Sequence, residues 1–341
     1  MSRGGRSGFI GVLCLLLLGG CQERQIRIHF EAAEKYRLAG DLPAAVAEYR
    51  AVVEMDSTQS DAQNNLGHLY ENLGQPDSAL VRYRMALAVN PAFAEAHYNK
   101  GVLFVGQGLI DSAVASYASA IANDSTQAEA YNNLGVVYES SGKIRAAIDQ
   151  YSLAVMHGSE FAPAHANLAR ASFLAGEMDQ AIRSAHRTIE LNPALIDGYV
   201  TLGTAYVEQN DFARSLQYLE AAARIAPNHA LVRQNLHYVR ALQAETISAK
   251  ASGHMRAAHI VVRNRGLGDV LLQKIRAGED FSLLAQTHSI DPSGRDGGDI
   301  GAFKPGDLMP EFENLVKGLS PGQVGGPIET PLGYHIVKRI Y

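Results

Sequence analysis

Two histidines and one aspartate near the C-terminus have the residue types and spacing that could form a hydrogen-bonded polar cluster. His259 and His335 each lie in an apolar, strand-like run, and Asp291 lies between the two runs. Because side chains alternate along a strand, His259 and Val261 fall on one face of the first run, and His335 and Val337 on one face of the last. If the two strands pair near the centre of a sheet, the imidazoles can hydrogen-bond.

The elements that must position these residues are predicted from the periodicity between the two runs. A helix is expected to start near Asp269, to bury Val270 and Leu271, and to end at Gly278. A second, short helix is expected to begin at Phe281.

This segment, residues 256–341, resembles the parvulin-type peptidyl-prolyl cis-trans isomerases. The motifs that carry the resemblance are Ser289-Ile290-Asp291-Pro292, Gly297-Gly298-Asp299-Ile300-Gly301-Ala302-Phe303, Leu308-Met309-Pro310-Glu311-Phe312-Glu313 and Gly325-Gly326-Pro327. The resemblance implies a small α+β fold, with a four-stranded antiparallel sheet wrapped by helices. It also implies an enzyme that turns peptide bonds preceding proline, with no cofactor and no metal.

The resemblance further implies which side chains form the site. The expected polar cluster beneath the rotating bond consists of His259, Asp291 and His335. The expected slot for the proline ring consists of Ile300, Leu308 and Phe312, with Phe303 as either pocket wall or core. Asp291 is expected to act by hydrogen bonding and charge, not as a nucleophile.

The chemistry of such a site is physically modest. Rotation about a peptide bond faces a barrier of roughly 18–20 kcal/mol, and uncatalysed prolyl isomerisation takes tens to hundreds of seconds. A thousandfold acceleration requires about 4 kcal/mol. An apolar slot for the proline ring, with electrostatic preference for the twisted amide, is enough in principle.

Other interpretations of these residues stay open. A histidine in an apolar strand is commonly a satisfied core group, and Leu308 and Phe312 could be plain core. The fold could also bind proline peptides without turning them over. A serine hydrolase is disfavoured because the segment has no Gly-x-Ser-x-Gly elbow. The spacing of His259, Asp291 and His335 matches no compact metal motif.

Composition bounds the remaining possibilities. A chain of 341 residues with 47% hydrophobic residues predicts two or more domains with real cores. A net charge of −5 gives no reason to expect a nucleic-acid partner.

The N-terminus predicts export. Residues 1–20 combine a positive start with a short apolar core, as in a secretory signal peptide. Leu18-Gly19-Gly20-Cys21 resembles the lipobox of bacterial lipoproteins, which implies cleavage before Cys21 and attachment of lipid to its sulfur. Gln22 favours the outer membrane facing the periplasm, or the outer face of the cell membrane in a one-membrane organism. A plain signal peptide or an uncleaved anchor is the alternative.

Residues 26–229 repeat with a period of 34. Small residues and tyrosines recur in register at Gly67, Gly101, Gly135 and Gly203, at Ala45, Ala79, Ala113, Ala147 and Ala181, and at Tyr49, Tyr83, Tyr117 and Tyr151. The pattern resembles the tetratricopeptide repeat and implies an all-α superhelical solenoid. Six units are expected, starting near Ile26, Ser60, Ala94, Ala128, Ala162 and Ile196. A capping helix is expected over 230–246, and a linker over 247–255.

One position of the first helix in each unit is asparagine in most units. The members of this series are Asn65, Asn99, Asn133, Asn167 and Asn235. Because an amide both donates and accepts, a row of them could grip the backbone of an extended peptide in the solenoid groove. The alternative is that these side chains cap or brace their own helices.

Together these observations predict a lipid-anchored isomerase and foldase of the cell envelope. Its expected partners are unfolded or partly folded exported proteins and proline-containing peptides, with envelope protein complexes as further partners of the solenoid. The alternative function is a non-catalytic scaffold or holdase whose C-terminal domain only binds peptide.

Overall fold

The computed structural model describes residues 6–251 and 253–341, and the side chains of residues 22–248, 251 and 253–341. The predicted signal peptide over residues 1–20 and the lipidation of Cys21 therefore lie outside the residues described in full. Within the described part of the chain, no helix combines the length and the apolar character needed to cross a membrane.

The chain divides into two compact units, Met1–Ala164 and His165–Tyr341. In the described residues before the first strand, the helices are α1 Arg6–Leu38, α2 Leu42–Met55, α3 Ser60–Asn72, α4 Pro76–Val89, α5 Ala94–Gly106, α6 Ile110–Asn123, α7 Ala128–Ser140, α8 Ile144–His157, α9 Ala162–Leu174, α10 Met178–Leu191, α11 Ile196–Glu208, α12 Phe212–Ile225 and α13 Ala230–Ala251.

The helices follow the 34-residue register. Five of them, α3, α5, α7, α9 and α11, begin at the residues where repeat units are expected to start. The first expected start, Ile26, lies inside α1, which begins earlier in the chain. The prediction of a tetratricopeptide solenoid is confirmed.

The recurring glycines let paired helices approach closely. In α5, a Cβ added to Gly101 would lie 2.6 Å from the ring of Tyr117 in α6, which is itself fully buried. The same contact recurs at Gly67 with Tyr83, at Gly135 with Tyr151, and in the second unit at Gly203 with Leu219. In these four repeats a glycine of the first helix thus leaves room for a large side chain of the second.

The linker in the structure is shorter than the one predicted from the sequence. Helix α13 runs past residue 246 to Ala251, and Gly253 follows with a φ of 74°. The predicted linker over 247–255 is therefore wrong in its first half. Residues 247–251 contain no helix breaker, so nothing in that stretch stops the helix before the glycine.

The C-terminal residues form one four-stranded antiparallel sheet with the strand order β2-β1-β4-β3. Its elements are β1 Met255–Val262, α14 Arg265–Arg276, α15 Phe281–His288, a 3₁₀ helix Pro292–Asp296, β2 Asp299–Phe303, α16 Pro310–Gly318, β3 Val324–Thr330 and β4 Gly333–Arg339. The expected α+β fold is confirmed.

Helix α14 begins four residues before the predicted start near Asp269. Asn264 caps it, since its side chain accepts a hydrogen bond of 2.8 Å from the Leu267 N–H. Val270, expected to be buried, is 50% exposed, whereas Leu271 is buried. The buried face of α14 includes Leu271 and Leu272, and Val270 lies on the exposed side of the helix.

The two faces of the sheet bury different clusters. On one face, Ala258, Ile260 and Ile336 pack with apolar residues of α14 and α15. On the other face, Ala257 and Val337 pack with Phe312 and other residues of α16. His259 and His335, at odd-numbered positions of β1 and β4, belong to this second face.

Gly101 offers a test of the helix contact. We expect Gly101→Ala to lower the free energy of unfolding by about 1–3 kcal/mol, because the new methyl group overlaps the Tyr117 ring. Urea unfolding followed by far-ultraviolet circular dichroism measures this change.

Gly106 in the same helix is the matched control. A Cβ there would meet nothing within 4 Å, so Gly106→Ala should leave stability unchanged or raise it by up to about 1 kcal/mol. Equal effects of the two substitutions would contradict the role assigned to the tyrosine contact.

Candidate active site

The two predicted imidazoles touch. Strands β1 and β4 are neighbours in register, with His259 opposite Val337 and Val261 opposite His335, so the histidines are diagonal neighbours on one face. Their Nδ1 atoms lie 3.2 Å apart, and their side chains are buried. Because one nitrogen must donate and the other accept, this contact couples the tautomers of the two rings.

Asp291 and Ser293 hold the other side of His259. The His259 Nε2 atom lies 3.1 Å from Asp291 Oδ1 and 3.1 Å from Ser293 Oγ. Asp291 caps the 3₁₀ helix and accepts hydrogen bonds from the Ser293 N–H at 2.9 Å and hydroxyl at 2.6 Å. Burial alone would raise the pKa of Asp291, but the bonds from Ser293 and His259 outweigh it and lower that pKa. The carboxylate is therefore ionised at neutral pH.

His335 is held in its neutral form. Burial, and then the neighbouring His259, lower the pKa of His335 to about 4, against the weaker raising effect of Asp291. Its Nε2 atom lies 2.7 Å from the hydroxyl of Thr330 at the end of β3. A neutral imidazole between a hydroxyl and a second imidazole can accept on one nitrogen and donate on the other.

An apolar surface adjoins this polar cluster. The Phe312 ring meets both imidazoles edge-on, at centroid distances of 5.7 Å to His259 and 5.8 Å to His335. Phe303 packs on Phe312 at 6.2 Å, and Ile300 lies partly buried against the same cluster. Leu308 is 37% exposed, outside the buried residues of this cluster. Its place in a proline slot stays a prediction.

A glycine lies against the backbone carbonyl of each histidine. Gly298 has a φ of 85°, and its carbonyl accepts a 2.8 Å bond from the His259 N–H. A Cβ at Gly298 would collide with the His259 carbonyl, and one at Gly326 with the His335 carbonyl. The backbone beneath both rings is therefore fixed by contacts that no other residue permits.

Two residues of the cluster were missed from the sequence. Ser293 stands two residues after Asp291, a spacing at which a side chain can bond within a turn, and this was the available signal. Thr330 lies five residues before His335, on the neighbouring strand, and nothing in its local sequence pointed to the imidazole.

The asparagine series is engaged differently in different repeats. In the first compact unit, Met1–Ala164, three amides of the series hydrogen-bond other side chains. Asn65 bonds Tyr49 at 2.9 Å, Asn99 bonds Asn64 at 3.0 Å, and Asn133 bonds Tyr98 at 3.1 Å. In the second unit, Asn167 accepts from Arg170 at 2.9 Å, and Asn235 lines a cavity. In the first unit the three amides donate to side chains of other helices and not of their own, and gripping of a peptide stays a prediction.

Comparison with protein families agrees with this architecture. The model of the PPIC-type PPIASE domain matches residues 265–341. Tetratricopeptide repeat models match residues 33–74, 64–128, 98–163 and 196–229. The chain carries tetratricopeptide repeats and a C-terminal parvulin domain.

Curated relatives match mainly through the parvulin domain. Foldase protein PrsA of Caldanaerobacter subterraneus subsp. tengcongensis is 42% identical over 85 residues, which cover 25% of this chain and 28% of that protein. Chaperone SurA of Alkalilimnicola ehrlichii is 37% identical over 115 residues, covering 30% of this chain and 26% of that protein. The chain thus spans less than a third of the length of either relative.

Solved structures match the repeats. Pseudomonas aeruginosa PilF aligns with a TM-score of 0.57 at 18% identity, covering 66% of this chain and 99% of that one. PilW, a type IV pilus biogenesis factor, aligns with a TM-score of 0.54 at 21% identity, covering 62% and 98%. At these identities the likeness concerns the fold alone.

The parvulin domain should lose stability as the pH falls from about 6.5 towards 4. Between these values the unfolded chain binds a proton at His335 that the folded domain excludes, so stability rises with pH across this window. The difference between 6.5 and about 4 corresponds to at most about 3 kcal/mol. Hydrogen-exchange protection of β1 and β4 at pH 7 and pH 5 measures it.

Two variants separate His335 from other groups. In His335→Gln the loss of protection between pH 7 and pH 5 should shrink, whereas His288→Gln should retain it. An unchanged pH dependence in His335→Gln would show that another group is responsible.

Proposed function

We propose that the parvulin domain is an active peptidyl-prolyl cis-trans isomerase and that the chain is a foldase of the cell envelope. The observation that carries the proposal is the contact of the His259 and His335 rings, with Asp291 on one side and Phe312 edge-on to both. A polar cluster of fixed orientation beside an apolar ring surface is what prolyl isomerisation needs. The names of the relatives, a foldase and a chaperone, support the same role.

The geometry suggests how the barrier is lowered. The proline ring would rest on the apolar surface of Phe312 and Ile300, with Leu308 at its exposed edge. As the bond twists, resonance is lost and the lone pair returns to the imide nitrogen, which becomes an acceptor. A hydrogen-bond donor held in place by the histidine pair can stabilise the twisted form of the peptide bond without stabilising its planar form. No bond to the protein forms, so Asp291 serves to orient His259.

The solenoid would hold the client chain. We propose that unfolded or partly folded exported proteins bind the repeats while the parvulin domain turns their prolyl bonds. A short connection between the two modules would keep a bound client at high effective concentration near the site. The alternative is a holdase or scaffold whose parvulin domain binds proline peptides without turnover, and the isomerase assay separates the two.

Asp291→Asn tests the catalytic assignment. We expect kcat/KM for a proline tetrapeptide to fall by about tenfold to a hundredfold, because a neutral amide no longer orients His259 as the carboxylate does. Protease-coupled isomerisation with the full chain measures this rate.

Asp296→Asn is the matched control, since Asp296 is an exposed carboxylate of the same 3₁₀ helix. It should keep the wild-type rate. A folded Asp291→Asn protein with unchanged kcat/KM would remove the carboxylate from the mechanism.

Membrane attachment through Cys21 is a further proposal. We expect a labelled fatty acid to be incorporated into the wild-type protein and Cys21→Ser to abolish both incorporation and membrane fractionation. Cys14→Ser is the matched control and should keep both, because residue 14 precedes the proposed cleavage site. Labelling of Cys21→Ser at the wild-type level would contradict the proposal.

A further inference from the structure

One buried carboxylate of the parvulin domain has no part in the mechanism proposed above. Glu313 lies in α16 directly after Phe312 and is only 4% exposed. Acidic residues are almost never fully buried unless they are paired, because removing an ionised carboxylate from water is costly. The hydrogen bonds that offset this cost show which part of the domain the side chain holds.

Two of these bonds come from the loop between β2 and α16, residues 304–309. The Oε1 atom of Glu313 accepts a hydrogen bond of 2.7 Å from the Gly306 N–H and one of 3.1 Å from the Leu308 N–H. Its second oxygen, Oε2, accepts from Lys317 Nζ at 3.2 Å, one turn further along α16. One oxygen thus binds the loop, and the other binds the helix.

The Glu313 carboxylate is charged at neutral pH. The bond from the Leu308 N–H lowers the pKa of Glu313 most, burial raises it, and the Gly306 N–H and Lys317 lower it further, so the pKa lies below its usual range. Hydrogen bonds to an ionised acceptor are roughly twice as strong as those between neutral groups. The loop is therefore attached to α16 by two bonds of the stronger kind.

The other hydrogen bonds of the loop close it on itself. The Lys304 N–H donates to Asp307 Oδ2 at 2.7 Å, and the Asp307 N–H donates to the Lys304 carbonyl at 3.1 Å. Among the hydrogen bonds of the described residues, only the two to Glu313 join residues 304–308 to another element of the domain. The position of this turn therefore depends on one side chain.

The loop carries the exposed edge of the proposed proline slot. Met309 packs against the cluster that contains Phe303 and Phe312, whereas Leu308, one residue earlier, is 37% exposed. The N–H group that Glu313 holds belongs to Leu308, the residue whose side chain would border the proline ring. Fixing this N–H fixes the direction in which the Leu308 side chain leaves the backbone.

Helix α16 thereby sets both apolar sides of the slot. Successive residues of an α-helix are rotated by about 100°, so α16 can present Phe312 to the two imidazoles and Glu313 to the loop. Phe312 is placed by its own attachment to the helix, and Leu308 is placed through Glu313. An apolar residue at position 313 would leave the Gly306 and Leu308 N–H groups without this acceptor.

We propose that Glu313 is a positioning residue of the proline slot, whose two bonds to the loop hold Leu308 against the bound proline ring. The inference rests on the proposed function, since the slot is the one in which the prolyl bond is turned. The histidine pair would act on the twisted bond, whereas Glu313 would support binding of the ring in the planar and twisted forms alike. Loss of such uniform binding raises KM and leaves kcat unchanged.

Glu313→Ala in the full chain tests this role. With the chromogenic tetrapeptide succinyl-Ala-Leu-Pro-Phe p-nitroanilide, we expect KM to rise by about fivefold to twentyfold and kcat to stay within about twofold of the wild type. Hydrogen exchange followed by mass spectrometry should be faster in residues 304–309, which lose two acceptors, and unchanged in β1 and β4. An unchanged KM, or a fall in kcat at unchanged KM, would overturn the proposal.

A double-mutant cycle separates positioning from a general loss of structure. Leu308→Ala should raise KM by itself, and adding Glu313→Ala should raise it by no more than about twofold further, because the residue that Glu313 positions is already truncated. Independent effects that multiply in KM would show that Glu313 does not act through Leu308 and would overturn the proposal.

Glu313→Gln replaces Glu313→Ala in this cycle if the alanine variant does not fold. The neutral amide keeps an oxygen acceptor but weakens both bonds to the loop, so KM should rise by about twofold to fivefold. A wild-type KM in Glu313→Gln would then overturn the proposal.

Glu311→Ala is the matched control, since Glu311 is an exposed carboxylate in the first turn of the same helix. It should keep the wild-type KM, kcat and exchange rates. An equal rise of KM in Glu311→Ala would assign the effect to the charge of α16 in general and would overturn the role given to the loop bonds.

The positioning role and the proposed isomerase fail in different ways. A wild-type protein without turnover would overturn the isomerase, and Glu313→Ala should then still weaken binding of the tetrapeptide, measured as Kd from nuclear magnetic resonance shifts. Turnover with a wild-type KM in the Glu313 variants would keep the isomerase and overturn the positioning role.

Discussion

The structure of the parvulin domain depends on one contact, the hydrogen bond between two imidazoles shielded from water. Strand pairing puts His259 and His335 on the same face, and a slip of one residue would send one ring to the opposite side of the sheet. The ionised Asp291, the hydroxyls of Ser293 and Thr330, and the edge of Phe312 each constrain one side of this pair. The remaining elements of the domain hold these constraints in place.

The repeats and the parvulin domain bury their apolar side chains in different ways. In the repeats, three glycines spaced by 34 residues, Gly67, Gly101 and Gly135, each meet a tyrosine of the next helix, and Gly203 meets Leu219. In the parvulin domain, alternation along β1 divides the apolar side chains between two clusters, and the histidines lie on the face of the cluster that includes Phe312. Packing in the repeats is therefore periodic, whereas packing in the parvulin domain is not.

The features predicted from sequence are those set by local spacing. The glycine and tyrosine register gave the helix starts, because packing between paired helices repeats with the chain. The shared face of His259 and His335 follows from the alternation of side chains along a strand, which depends only on residue spacing. Three features were not predicted. Helix α14 starts at Arg265 because of a single capping residue, and α13 continues to Ala251 because no helix breaker stops it. The contact of Thr330 with His335 joins two strands, so local sequence does not indicate it.

The glycines behind the two histidines carry a consequence for variation of this chain. Gly298 and Gly326 touch no substrate in the proposed mechanism, yet each lies against the backbone carbonyl of one of the two proposed catalytic histidines. Any side chain at either position must push the backbone of β1 or β4 and tilt the imidazole attached to it. Replacement of either glycine is therefore disfavoured on geometric grounds, and the activity left after such a replacement would measure how precisely the two imidazoles must be oriented.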